Sequence, residues 1–240
     1  MDRSPRFPET LWSLVVHAAD RSSAEHHQAL EKLCCMYWYP VYAYVRRRGH
    51  DVDAARDLTQ EFFARLVEKN YVASADHDRG RFRGFLLKAV QRFLLNQSDR
   101  DRAQKRGGGV PAASIEVEAA EGRYQREPRH DVTPETMYER RCALTILERT
   151  MARMRDREES KRFDAMAPFL AGDGPRGAYE SAAAALGISE GAFKVAVHRL
   201  RQRYRESLHA EIAETVRDES EVEGEIRHLM EVLGRSQRAP

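Results

Sequence analysis

Apolar side chains recur along this chain at the spacing of helix faces. Leu11, Leu14, Val15 and Ala18 form one such series. Leu30, Leu33, Tyr37, Val41, Tyr44 and Val45 form another, which runs to the basic triplet Arg46–Arg48 and stops at Gly49. Together they predict helix over 10–48, kinked at Pro40. Ala55, Leu58, Phe62 and Leu66 make the stripe of a second helix over 52–70. Its Asp57, Gln60, Glu61 and Ala64 lie on a more polar face. Residues 71–81 have loop composition. Phe82, Phe85, Leu86, Ala89, Phe93 and Leu94 then face inward on a helix over 82–106, with Arg83, Arg92, Asn96, Arg100 and Lys105 on its other faces.

Residues 107–133 open GGGVPAAS and contain Pro111 and Pro128 among acidic residues. They read as a mobile linker with too little apolar content for a core. Beyond it, Thr133 is an N-cap and Pro134 the first residue of a helix over 134–160. Met137, Leu144, Leu147, Met151 and Met154 give that helix its stripe. A short helix over 161–171 and the turn GDGPRG follow.

The most informative stretch is AYESAAAALGISEGAFKVAVHRLRQRYRE, residues 178–206. A short Ala-rich helix meets Gly187, Ile188 and Ser189, and a second helix starts at Glu190 with Ser189 as its cap. Helix, three-residue turn with glycine, helix is the helix-turn-helix pattern. Small alanines let the two helices cross closely. Phe193, Val197 and Leu200 point inward at i, i+4 and i+7. Lys194, His198, Arg201 and Gln202 are left outward, long and polar enough to reach base edges or phosphates. Residues 207–233 continue as an acidic helical tail. No segment reads as strand, so the fold class is all-α.

Composition narrows the function classes. The 240 residues suit one large or two small domains, and no run approaches the ~18 apolar residues of a membrane span. The N-terminus lacks the apolar stretch and cleavage site of a secretory signal. Cys34, Cys35 and Cys142 make neither a disulfide framework nor a metal pair, which fits a cytoplasmic protein with reduced thiols and no metal or other cofactor. The net charge of +2 hides strong local contrasts. Residues 79–106 hold nine basic against two acidic side chains, and 190–206 five against two. Residues 107–135 and 207–240 are acidic by three and four charges. Two basic patches on helices, separated by acidic stretches, suit two contacts with one polyanion.

Two stretches resemble a known family. RDLTQEFFARLVEKN with RFRGFLLKAVQRFLLNQSDRDRAQKR is similar to region 2 of bacterial sigma factors of the extracytoplasmic-function (ECF) group. LGISEGAFKVAVHRLRQRYRESL is similar to region 4 of the same family. The resemblance implies two small helical domains on a flexible linker: an N-terminal extension 1–24, a region 2-like domain 25–106, a linker 107–133, a region 4-like helix-turn-helix domain 134–210 and a tail 211–240. It implies core RNA polymerase (clamp and flap) and promoter DNA as partners. By position in the motif, Asp57, Gln60, Glu61 and Phe62 lie at or beside the polymerase contact. The loop 71–81 and the start of the next helix meet the unpaired −10 strand, with Arg81, Arg83, Arg92, Asn96, Arg100, Lys105 and Arg106 as cations and amides for its backbone. Lys194, Val195, His198, Arg199 and Arg201 take the −35-contacting side of the recognition helix. Phe82 and Phe85 are placed to stack on bases, but their helical spacing assigns them to the core.

The sequence departs from the family at one informative place. An acidic cluster, Asp-Ala-Glu-Asp, usually leads into the second helix, whereas here the positions read Ala54, Ala55, Arg56, Asp57. Two acids are lost and a cation is gained, with Asp51 and Asp53 upstream as partial compensation. Thr59 is then a candidate phosphoacceptor, since phosphate would restore negative charge. A Ser/Thr kinase or an anti-sigma factor would be the matching partner, and the tail is a third candidate for control. Two alternatives stand beside this reading. A helix-turn-helix regulator that binds DNA without polymerase accounts for 178–206 but leaves 52–106 unexplained. A nucleic-acid enzyme lacks support: there is no H-E-x-x-H, P-loop, G-x-S-x-G or Cys/His metal spacing. RGGGVP is linker, and Asp57 with Glu61 has no histidine, lysine or Gly-rich loop beside it.

Overall fold

The computed structural model describes residues 13–74, 81–103, 115–127, 132–157, 159–216 and 218–235. These residues form ten α-helices and two short 3-10 turns, in keeping with an all-α fold. The helices are α1 (Ser13–Ala19), α2 (His26–Arg47), α3 (Val52–Glu68), α4 (Phe82–Ala103), α5 (Ile115–Tyr124), α6 (Pro134–Arg155), α7 (Ser160–Met166), α8 (Ala178–Ala185), α9 (Glu190–Ala213) and α10 (Glu219–Arg235). The chain divides into two compact units: Met1–Thr145 with Ala213–Pro240, and Ile146–Ile212.

In the first unit the core is built on α2. Leu33, Tyr44, Leu66, Phe82 and Leu86 are buried there, as their helical spacing predicts, and Met36, Tyr42 and Val90 are buried with them. The single helix expected over 10–48 is two helices. Asp20 accepts from Ser22 N (2.9 Å) and Ser22 Oγ (2.7 Å), a side-chain turn that ends α1. Pro40 lies inside an uninterrupted α2. Asp51 caps α3 by accepting from Ala54 N at 2.8 Å. Asn70, with φ 47°, donates from Nδ2 to Ala19 O at 2.9 Å and ties the end of α3 to α1.

The expected linker also differs. Its described part contains α5, docked on α2 by Glu121. That carboxylate accepts from Arg46 Nε (3.0 Å), Arg46 Nη2 (2.9 Å) and Tyr42 Oη (2.7 Å). A forked guanidinium–carboxylate pair is among the stronger and more orienting polar contacts. Buried Glu127 pairs with Arg141, whose guanidinium lies over the Tyr39 ring. The tail is likewise packed into the first unit: Val216, Val222 and Leu229 are buried, and Lys32 pairs with Glu214 at 2.5 Å.

The second unit encloses Met154, Phe163, Met166, Phe169, Ala183, Phe193, Val197 and Leu200. Phe169, Tyr179 and Phe193 form an aromatic triangle with centroids 4.5–5.8 Å apart. Arg149 and Arg153 meet buried Glu211 at 2.5 and 2.7 Å. The division between units falls inside α6, and residues 213–240 belong with the first unit, whereas the sequence places the second domain at 134–210 with a separate tail.

Candidate functional site

The helix-turn-helix is present as expected. α8 ends with Ile188 N donating to Ala183 O (3.1 Å) and Gly187 N to Ala184 O (3.0 Å), and Gly187 has φ 67°. This αL glycine lets the chain reverse without a Cβ penalty. Ser189 Oγ accepts from Ala192 N at 3.2 Å and starts α9. Phe193, Val197 and Leu200 are fully buried against the preceding helices. One side of α9 is therefore fixed, and Lys194, Val195, His198 and Arg199 stand exposed together on another. Lys194 is oriented by Glu190 at 2.7 Å and by the Tyr179 ring at 5.7 Å.

Arg201 departs from its expected role. Its Nε donates to Phe169 O at 2.9 Å and its Nη2 to Asp173 at 2.7 Å, while Tyr179 Oη donates to the same carboxylate oxygen at 3.0 Å. Arg201 thus locks the turn before α8 onto α9 and does not join the exposed side that carries Lys194 and His198. Its hydrogen bond is also the main reason the Asp173 carboxyl sits below its ordinary pKa. A groove of about 550 Å³ lies between α7 and α9, lined by Arg162, His198, Arg199, Gln202, Arg203 and Glu206 among others. Arg162 adds a cation that the sequence reading missed, because it comes from outside the helix-turn-helix.

In the first unit, α3 presents Asp57 and Gln60 exposed and Glu61 partly exposed on one side. Phe62 is buried against Phe63 and Phe93, so it supports this side from within and presents no surface. Arg56 is only 3% exposed. Its Nε donates to Asp57 at 2.9 Å and its Nη1 approaches Asp53 at 3.3 Å, so the added cation sits beneath the remaining acids and offsets their charge. Glu61 is held by Gln97 at 2.8 Å and by Arg65. Thr59 is fully buried, and its hydroxyl donates to Ala55 O at 2.7 Å. The hydroxyl that the sequence offers as a phosphoacceptor is thus closed to solvent in this arrangement.

The basic residues around α4 separate into two groups. Arg92 and Asn96 are exposed four residues apart on one side. Arg81 and Arg83 are both paired with Glu225 of α10, and Arg83 also with Glu139 of α6. Arg83 is buried in this arrangement, and Arg81 stays partly exposed. The Arg100 side chain, Lys105 and Arg106 lie outside the described residues, as does most of the loop 71–81. Phe82 is buried and Phe85 packs against the core, as their spacing indicates. Among the described residues there is no cluster of three or more His, Cys, Asp or Glu suited to a metal, and no helix is long and apolar enough to cross a membrane.

A family model for the ECF sigma factor matches residues 43–211, which takes in α3, α4 and the whole helix-turn-helix. The chain belongs to the ECF sigma factor family. No curated protein and no solved structure matches it. Membership places this ECF sigma factor with RNA polymerase in promoter-specific initiation, where members act as DNA-recognition subunits. The match ends before α10, so the clamp on Arg81 and Arg83 comes from a segment outside the family's shared residues.

Proposed function

We propose that this ECF sigma factor binds core RNA polymerase through the Asp57, Gln60 and Glu61 side of α3 and reads promoters with two separate surfaces. Region 2, with Arg92 and Asn96 on α4, holds the −10 strand largely by its backbone. Region 4 places the N-terminal half of α9 at the −35 element. There Lys194 and Arg199 reach phosphates or guanine edges, His198 donates or accepts, and Val195 offers an apolar contact of the kind a thymine methyl makes. The protein performs no catalysis of its own and acts in the cytoplasm with the polymerase.

The observation that carries this reading is the exposed Lys194–Val195–His198–Arg199 cluster on a capped recognition helix, within a chain whose family match also spans α3 and α4. A regulator acting on DNA alone would use the first feature and leave the second idle. Reconstituted transcription tests it: purified core polymerase with this protein initiates at specific sites on the genomic DNA of the protein's own host, and core polymerase alone does not. Initiation sites that do not change on adding the protein would refute it.

A further inference from the structure

Glu225 is an acid in an unusual place. It sits on the inward side of α10 between Val222 and Leu229, at the i, i+3, i+7 spacing of a packed stripe, and is only 3% exposed. Packing alone would be served by an apolar residue, because burying a carboxylate is unfavourable unless it is paired. Here both oxygens are engaged. Oε1 accepts from Arg83 Nε at 2.6 Å, and Oε2 takes Arg83 Nη2 at 3.2 Å and Arg81 Nε at 2.6 Å. Arg83 is itself 8% exposed. The first turn of α4 carries no acid of its own, so the acids facing Arg83 come from elsewhere: Glu225 from α10 and Glu139 from α6.

Further features bear on what this contact does. Arg81 and Arg83 stand at the start of α4, where a nucleic-acid strand is expected in region 2. The apolar cluster of the first unit is formed without α10 side chains. Asp218, Glu219 and Glu223 are exposed along the same tail and repel an approaching phosphate backbone. Among the described contacts of α10 are buried Val222 and Leu229, the Glu225 carboxylate, and His228 at 3.4 Å from Glu139.

We propose that α10 is an intramolecular competitor of the nucleic-acid strand: Glu225 holds Arg81 and Arg83 in the position phosphates would take, and the tail leaves when the strand binds. This rests on the assignment of α4 to −10 contact. In the free protein the two cations are neutralised. Displacement of α10 frees Arg81, leaves Arg83 with Glu139 as its remaining acid, and withdraws the tail's negative charge.

The test uses the full chain and a fluorescein-labelled, mixed-sequence single-stranded oligodeoxynucleotide in anisotropy titrations at several salt concentrations. Glu225→Gln and, separately, Val222→Asp are expected to bind tighter than wild type. Their plots of log affinity against log salt should be steeper by about 0.7, the contribution of one freed arginine, Arg81, on a single strand, and by up to about 1.4 where the strand also draws Arg83 from Glu139. Adding Arg81→Ala to Glu225→Gln should remove part of the gain. Hydrogen exchange on wild type provides the second arm, which needs no substituted protein: saturating oligonucleotide should raise exchange across 219–235. Variants that fold by circular dichroism yet bind no tighter than a wild type that does bind would overturn the competitor role and leave the α4 assignment standing. Unchanged protection of α10 with strand bound would do the same. No binding by wild type or by any variant would refute both.

Discussion

Replacing Phe193 by alanine should remove the helix-turn-helix without touching a side chain of the proposed −35 surface. Phe193 is 0% exposed and joins Phe169 and Tyr179 with ring centroids 5.3 and 5.8 Å away. Buried Phe→Ala changes cost about 3–5 kcal/mol, and each edge-to-face ring pair adds about 0.5–1.5 kcal/mol beyond area burial, which places this site near the upper end. The second unit, Ile146–Ile212, has fewer than 70 residues. At roughly 0.05–0.15 kcal/mol per residue its whole stability is on the order of 3–10 kcal/mol. The loss is therefore comparable to everything that holds the unit together. Hydrogen exchange followed by peptide mapping should show α8 and the first half of α9 losing protection while α2 and α3 keep theirs. His198→Ala, on the exposed side of the same helix, should change stability by less than about 0.5 kcal/mol. Protection of α8 and α9 that survives Phe193→Ala would refute the packing scheme.

The α5 dock supplies a pH test. The Arg46 hydrogen bond, opposed by burial and helped by Tyr42, holds the Glu121 carboxyl below its ordinary value of 4.5. A lowered carboxylate adds stability that is complete above 4.5 and fades as pH falls through the folded value. Urea melts of wild type and Glu121→Gln should thus converge below pH 4.5, and a gap independent of pH would contradict the pair. Lys194→Ala with Arg199→Ala should weaken −35 binding at least tenfold in titrations with duplex promoter DNA, and equal transcription from the target promoter would refute the recognition-helix assignment. The thiols should separate by rate toward an alkylating reagent at pH 8. Exposed Cys35 should react first, Cys34 slowly because burial raises its thiol to about 11, and Cys142 only on unfolding because burial raises it to about 12. Mass spectrometry of the labelled peptides decides the order.

Local periodicity made much of this molecule legible. Phe193, Val197 and Leu200 repeat at one helix face, and Gly187 and Ser189 punctuate the turn, so the helix-turn-helix could be read without coordinates. The same rule applied more strictly finds Thr59: it lies four residues after Ala55 and three before Phe62, on the inner side of α3, which is where the structure buries it. What stayed hidden was pairing across long separations. Arg83 looked like a surface cation because nothing near it in sequence is acidic, and its partner Glu225 is 142 residues away. Arg201 followed the outward spacing of α9, yet a carbonyl and a carboxylate from the turn before α8 take its guanidinium. The α5 helix was concealed by the glycines and prolines around it, and its hold on the first unit combines the Glu121 carboxylate on Arg46 with buried Ala120 and with Tyr124 packed against the core.

The central claim is that the α3 side carrying Asp57 and Glu61 meets core RNA polymerase. A pull-down of core polymerase by this 240-residue chain, compared with the Asp57→Arg/Glu61→Arg double variant, tests it most directly. Both side chains are at the surface, so the variant should keep wild-type helix content by circular dichroism. The account predicts capture of polymerase by wild type and its loss in the folded variant. Equal capture by both would contradict the placement of the polymerase contact, and no capture by wild type would contradict polymerase binding itself.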